Sequence, residues 1–206
     1  MLAVVLSYLL GAIPAGYLLN RAVEPFALRL LSYLPLTPPF HAQLARLVPR
    51  ALSSSADLAK GALVLSALPA LLNFAATGQW AWLVYPFVSP GLRTSAVIVL
   101  MVIGHVLSVY ISGWGGRGIA TALGGFLIIT PLPACAAIAL WLVLTLLLRS
   151  FRHSAIAASF ALPIFIFLLQ RLDLLFALAA LILAIISIVT HLGAFPVHHS
   201  HRRETS

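Results

Sequence analysis

From Ile119 to Leu148 the chain carries no charged side chain, and Pro131 and Pro133 interrupt that run near its middle. As one helix the run would extend about 45 Å at 1.5 Å per residue. A bilayer's hydrocarbon core is only about 30 Å thick. Proline inside a helix also removes a hydrogen bond and collides with the preceding turn. The run therefore reads as two shorter segments, 119–130 and 133–148, that enter an apolar medium and return. The first is only about 18 Å long, so it is expected to cross incompletely or where the bilayer is thinned.

Composition supports the same environment. Hydrophobic residues make up 62% of the 206 positions and charged residues 8%, whereas soluble domains carry charge at about a quarter of theirs. Further apolar runs at 1–19, 58–77, 95–112, 155–170 and 173–190 meet or approach the length of a span. With 119–148 crossing twice, the expected fold is an all-α polytopic membrane protein of about seven transmembrane helices. Arg21, Arg29, Arg46, Arg50, Arg117, Arg149, Arg152, Arg202 and Arg203 then share one side, against Arg93 and Arg171 on the other. The positive-inside tendency makes the richer side cytoplasmic, with the amino terminus out and the carboxyl terminus in. The first run is not read as a secretory signal, since no Lys or Arg precedes it and Arg21 follows it.

Residues 1–197 read as one integral membrane domain, within which 20–56 forms a cytoplasmic interfacial segment broken by Pro35, Pro38 and Pro39. Residues 198–206 read as a polar disordered tail. A formal net charge of +8, scattered between apolar runs, points to lipid surroundings and not to nucleic acid. The lone Cys135 is expected to be a small packing residue.

Residues 113–118, Gly-Trp-Gly-Gly-Arg-Gly, place four glycines around an arginine between two apolar runs. Gly113, Gly115 and Gly118 fit GxGxxG, but no strand precedes them and no acid follows at the required distance, so the dinucleotide reading fails. A Walker loop fails too, because its Lys-Ser/Thr pair is missing. What remains is a bare turn feeding a helix start at Ile119, where unpaired N–H groups and the helix dipole favour an anion. Arg117 adds a permanent charge whose fork matches phosphate oxygens. Gly115, Gly116, Arg117 and Gly118 are therefore candidate phosphate contacts; the competing reading is a tight turn with Arg117 as a membrane anchor.

His105 sits inside a span, where an ionisable group is costly and is treated as functional by default. Asp57 and Lys60, in DLAKG, share a helix face and can pair. They are placed at a helix start, with Ser53, Ser54 or Ser55 as cap. Lys60, the only lysine, is a candidate second phosphate contact, and His191, closing the last span, a third. His198, His199 and His201 lack a carboxylate or cysteine partner and make a poor metal site. No metal or cofactor is expected. No Ser-His-Asp, HExxH or Cys-His grouping occurs, so the sequence offers no catalytic residue.

Three segments resemble the PlsY-type acyl-phosphate:glycerol-3-phosphate acyltransferases of bacterial membranes. They are GAIPAGYLLNR (11–21), DLAKGAL (57–63) and GHVLSVYISGWGGRGIATALG (104–124). The last is similar to the family's Gly-Gly-Lys-Gly-Val-Ala-Thr segment, with Arg117 at the lysine. The resemblance implies a multi-pass plasma-membrane enzyme of phospholipid synthesis. Such an enzyme passes an acyl group from acyl phosphate to glycerol 3-phosphate or a related polyol phosphate. The family's glycine-rich signature between its first two spans has no counterpart, because 20–56 contains no glycine. The alternative is a paralogue that binds lipid or phosphate without turnover.

Overall fold

The computed structural model describes residues 2–33, 38–76, 90–110, 116–169 and 174–192. Among them are eight helices and no strand: α1 (Leu2–Ala12), α2 (Ala15–Ser32), α3 (Pro38–Ala76), α4 (Pro90–Val106), α5 (Ile119–Ile129), α6 (Pro131–Leu148), α7 (Phe151–Leu169) and α8 (Leu174–His191). Three of these, α6, α7 and α8, are long and apolar enough to cross a membrane. Thr94–Val106 of α4 and α5 are shorter apolar stretches. Leaving out α2, which carries Arg21 and Arg29, seven helices stand where seven spans were expected. Gly115 and the histidine tail 198–206 lie outside the described residues.

The run 119–148 divides as its prolines require. Thr130 ends α5 and precedes α6 in a non-helical conformation, and Pro131 opens α6, where its missing N–H leaves no bond unmade. The break falls at Thr130, so α6 starts two residues before the expected 133. The chain then turns at Arg149, in the left-handed region at φ 48°, and enters α7. Ser159 on α7 donates to Ser187 on α8 at 3.1 Å, and four residues join these helices, so they lie antiparallel.

Two expected boundaries are corrected. The first run does not continue to residue 19: α1 ends at Ala12 and α2 begins at Ala15, because Pro14 supplies no N–H and restricts Ile13. Nor does a helix start near Ser53–Ser55. There α3 runs unbroken, and Ser55 donates back to the Leu52 carbonyl at 2.9 Å rather than capping a terminus.

Glycines let the helices meet backbone to backbone. A β-carbon on Gly61 would meet the carbonyl of Thr121, and one on Gly124 that of Leu58, joining α3 to α5. Gly11 and Gly104 join α1 to α4 in the same way. Around α5 gathers the core, with Leu123, Phe126, Ile98, Met101 and Val102 each fully buried. The outer faces are apolar as well: Leu146 is 78% exposed and Leu147 72%, as lipid contact demands and water would not tolerate. Cys135, expected inside, lies exposed on α6. Leu18, Phe26 and Leu30 are exposed on α2, as is Tyr33 just past its end, and their spacings mark one uncovered, mainly apolar face that also carries Arg29.

Candidate functional site

At one end of the bundle the sequence's unusual residues converge. Pro14 interrupts the first helix and frees its last carbonyls, and a cation at a helix C-terminus is the natural partner for them. Lys60, from α3, fills that place. Its ammonium lies 2.8 Å from the Gly11 carbonyl, 2.8 Å from that of Ile13 and 2.9 Å from Nδ1 of His105. Ser108 donates to the carbonyl between them, Ala12, at 2.5 Å. An ammonium has three hydrogens, so each has a protein acceptor. Lys60, expected as a phosphate contact, is thus engaged by α1 and α4.

Asp57 completes this buried group. Its Oδ1 accepts from the Gly16 N–H at 3.1 Å and lies 3.9 Å from the Lys60 ammonium. Its Oδ2 faces Nε2 of His105 at 3.6 Å. Because Lys60 can only donate, Nδ1 of His105 is an acceptor and its proton sits on Nε2, toward Asp57. Spacing in the sequence brings Asp57 and Lys60 together; only the fold brings His105, 45 residues from Lys60, to them.

His105 links this group to the glycine turn. Its carbonyl accepts the Gly116 N–H at 3.0 Å, and a side chain at Gly116 would overlap its ring. Gly118 adopts φ 84° as it opens α5, a conformation other residues rarely take, and a β-carbon there would meet Val102 at 2.9 Å. The first bond of α5 runs from Ala122 N to Gly118 O. The positive end of the helix dipole thus faces the Arg117 segment.

Arg117 itself is partly exposed. Burial first, and then the guanidiniums of Arg152 and Arg50, pull its pKa below the ordinary arginine value. Among the described side chains the carboxylate is that of Asp57, and it faces Lys60 and His105 and not these arginines. Like charges gathered together raise the local potential, which an arriving anion relieves. Neither Arg50 nor Arg152 stands out in the sequence, where each looks like a membrane anchor.

The last helix closes the group. The Thr190 hydroxyl lies 2.7 Å from Ser187 O and 3.2 Å from the carbonyl of Arg117. Beside it, Nδ1 of His191 donates to Ser187 O at 2.7 Å, which leaves Nε2 as a lone-pair acceptor. The structure therefore gathers Gly116, Arg117, Gly118 and His191 at one point. Lys60 and His105 lie behind the turn. The described residues hold no cluster of three metal-ligating side chains.

These features can be set against known proteins. Residues 1–196 match the family described as glycerol-3-phosphate acyltransferase. A glycerol-3-phosphate acyltransferase of Geobacter sulfurreducens is 36% identical over 97 residues, 47% of this chain and 50% of its own length. This chain thus spans about half the length of the first curated relatives it matches. A relative of the same name from Wolinella succinogenes is 33% identical over 176 residues, covering 80% of this chain and 75% of that protein. In fold, the chain is similar to the crystal structure of PlsY, an integral membrane glycerol 3-phosphate acyltransferase, in its glycerol 3-phosphate form. The TM-score is 0.63 at 22% identity, over 94% of this chain and 88% of that one. On the match over residues 1–196 and the Wolinella relative, the chain belongs to the glycerol-3-phosphate acyltransferase family.

Proposed function

We propose that this protein transfers an acyl group from acyl phosphate to a hydroxyl of glycerol 3-phosphate or a related polyol phosphate, at the cytoplasmic face of the bacterial plasma membrane. The observation that carries the reading is Arg117, held between Gly116 and Gly118 at the start of α5, with two further arginines near it and, among the described residues, no acid paired to it. Family membership supports the same substrates, and a relative was solved in a glycerol 3-phosphate form.

Acyl phosphate is already activated, so positioning and charge stabilisation suffice for transfer. The acceptor's hydroxyl oxygen attacks the donor's carbonyl carbon, the bond from that carbon to the phosphate oxygen breaks, and the hydroxyl proton leaves with the released phosphate. Arg117 stabilises phosphate charge, with the α5 dipole behind it. Gly115 belongs to the same phosphate cradle. His191 offers its Nε2 lone pair to an acceptor hydroxyl. Lys60 and His105 hold the turn rather than the ligand.

The uncovered, mainly apolar face of α2 supports an interfacial position for 20–56. Residues 1–197 act as one membrane domain, followed by the polar stretch 198–206. The test is direct: purified protein given palmitoyl phosphate and labelled glycerol 3-phosphate should form labelled lysophosphatidic acid. No product from any acyl phosphate and polyol phosphate pair would remove this reading.

Sidedness follows from the same assembly. The ends of α4 and α8 and the starts of α5 and α7 meet at the arginine group, so α5 and α6 leave that end and return. With the arginines cytoplasmic, a single cysteine at Ser150 in a Cys135→Ala background should resist a membrane-impermeant thiol reagent in intact cells. One at Asp173 should react. Labelling at 150 with protection at 173 would invert the proposed orientation.

A further inference from the structure

Transfer between two phosphorylated substrates poses a charge problem that Arg117 alone does not solve. A phosphate monoester carries about −1.5 to −2 near neutral pH, and an acyl phosphate, with the same two ionisable phosphate oxygens, a similar charge, so the two side by side bring roughly −3 to −4. One guanidinium offsets a single unit. Arg50 and Arg152 bring the arginine total to three.

Arg152 is placed differently from Arg117. It lies in the first turn of α7, whose start is fixed where Phe151 meets Trp141 edge to face, with ring centroids 5.1 Å apart. The antiparallel register set by Ser159 and Ser187 puts residue 155 level with His191. Arg152 is three residues further out, about 4.5 Å along the helix. It is exposed, and Leu147 and Leu148, at the end of α6, are exposed beside that turn. This is a basic side chain at a lipid-facing rim. Arg117, by contrast, is partly buried and its carbonyl is held from α8. An amphiphile whose chain lies in lipid presents its head group at such a rim, while a small water-soluble phosphate enters from the aqueous side.

We propose that Arg152 is a donor-binding residue that takes the phosphate of acyl phosphate, leaving Arg117 to the phosphate of the polyol acceptor. This rests on the acyltransferase reading above. Removing Arg152 should therefore weaken one substrate and spare the other, which a merely structural residue would not do.

The experiment is steady-state kinetics in uncharged detergent micelles, varying palmitoyl phosphate and glycerol 3-phosphate separately. Arg152→Ala should raise KM for palmitoyl phosphate about tenfold and change that for glycerol 3-phosphate less than about twofold, as expected for one charge-assisted contact. Arg152→Lys should recover part of the loss. Unchanged KM values, or a rise confined to glycerol 3-phosphate, would overturn the assignment. So would a defect seen only in vesicles containing anionic phospholipid, which would make Arg152 a head-group contact. An inactive wild type would sink the acyltransferase reading instead, and retention of radiolabelled palmitoyl phosphate would then decide. Loss of retention in Arg152→Ala supports the subsite, and equal retention overturns it.

Discussion

Arg117→Ala abolishes measurable transfer from palmitoyl phosphate to glycerol 3-phosphate in purified protein. Loss of one preorganised charge-stabilising group typically costs about 10²–10³ in rate, and here weakened phosphate binding adds to it. The side chain makes no ion pair among the described residues, so its removal should leave the thermal unfolding midpoint close to wild type. Arg117→Lys keeps the charge but loses the guanidinium fork. It should retain a part of the activity, in keeping with the lysine that the resembling family carries there. Alanine-variant turnover within a few fold of wild type would move the phosphate site elsewhere.

Lys60→Ala has its largest effect on the fold. The substitution strands a buried carboxylate, Asp57, and leaves the Gly11 and Ile13 carbonyls without their donor. Removing one partner of a buried ion pair costs about 3–5 kcal/mol, a large share of a typical domain's stability. The midpoint of thermal unfolding in detergent should fall clearly. Activity should fall with it, since His105 joins this group to the Gly116 turn. An Asp57→Asn/Lys60→Met double variant leaves no buried charge and should lose less than the sum of its single variants. A Lys60→Ala protein as stable as wild type would show that the ammonium does not hold α1, α3 and α4 together.

Much of this was legible in the sequence where a single residue type dictates the backbone. Pro131 and Pro133 announced the division of 119–148, and the apolar runs announced the helices. Pro14 has the same chemistry, yet the apolar run around it hid the break between α1 and α2. Ser53–Ser55 misled for the opposite reason. Serine and aspartate favour helix starts, but mid-helix a serine can bond back to its own helix, as Ser55 does to Leu52. Asp57 and Lys60 were visible as a pair. The environment that defines Lys60 comes from Gly11, Ile13 and His105, 49, 47 and 45 residues away, and no local pattern encodes it. Arg50 and Arg152 were hidden most completely. Beside an apolar run an arginine looks like an anchor, and only tertiary proximity to Arg117 separates a site from an anchor.

The contact between Thr190 and the Arg117 carbonyl spans 73 residues of chain, which bears on how the protein is made. Translation runs at about 5–20 residues per second, so Arg117 leaves the ribosome roughly 4–15 s before the helix that braces it. Until α8 follows, the Arg117 turn lacks Thr190 and His191, so on the acyltransferase reading proposed above the site is complete only once α8 has been inserted.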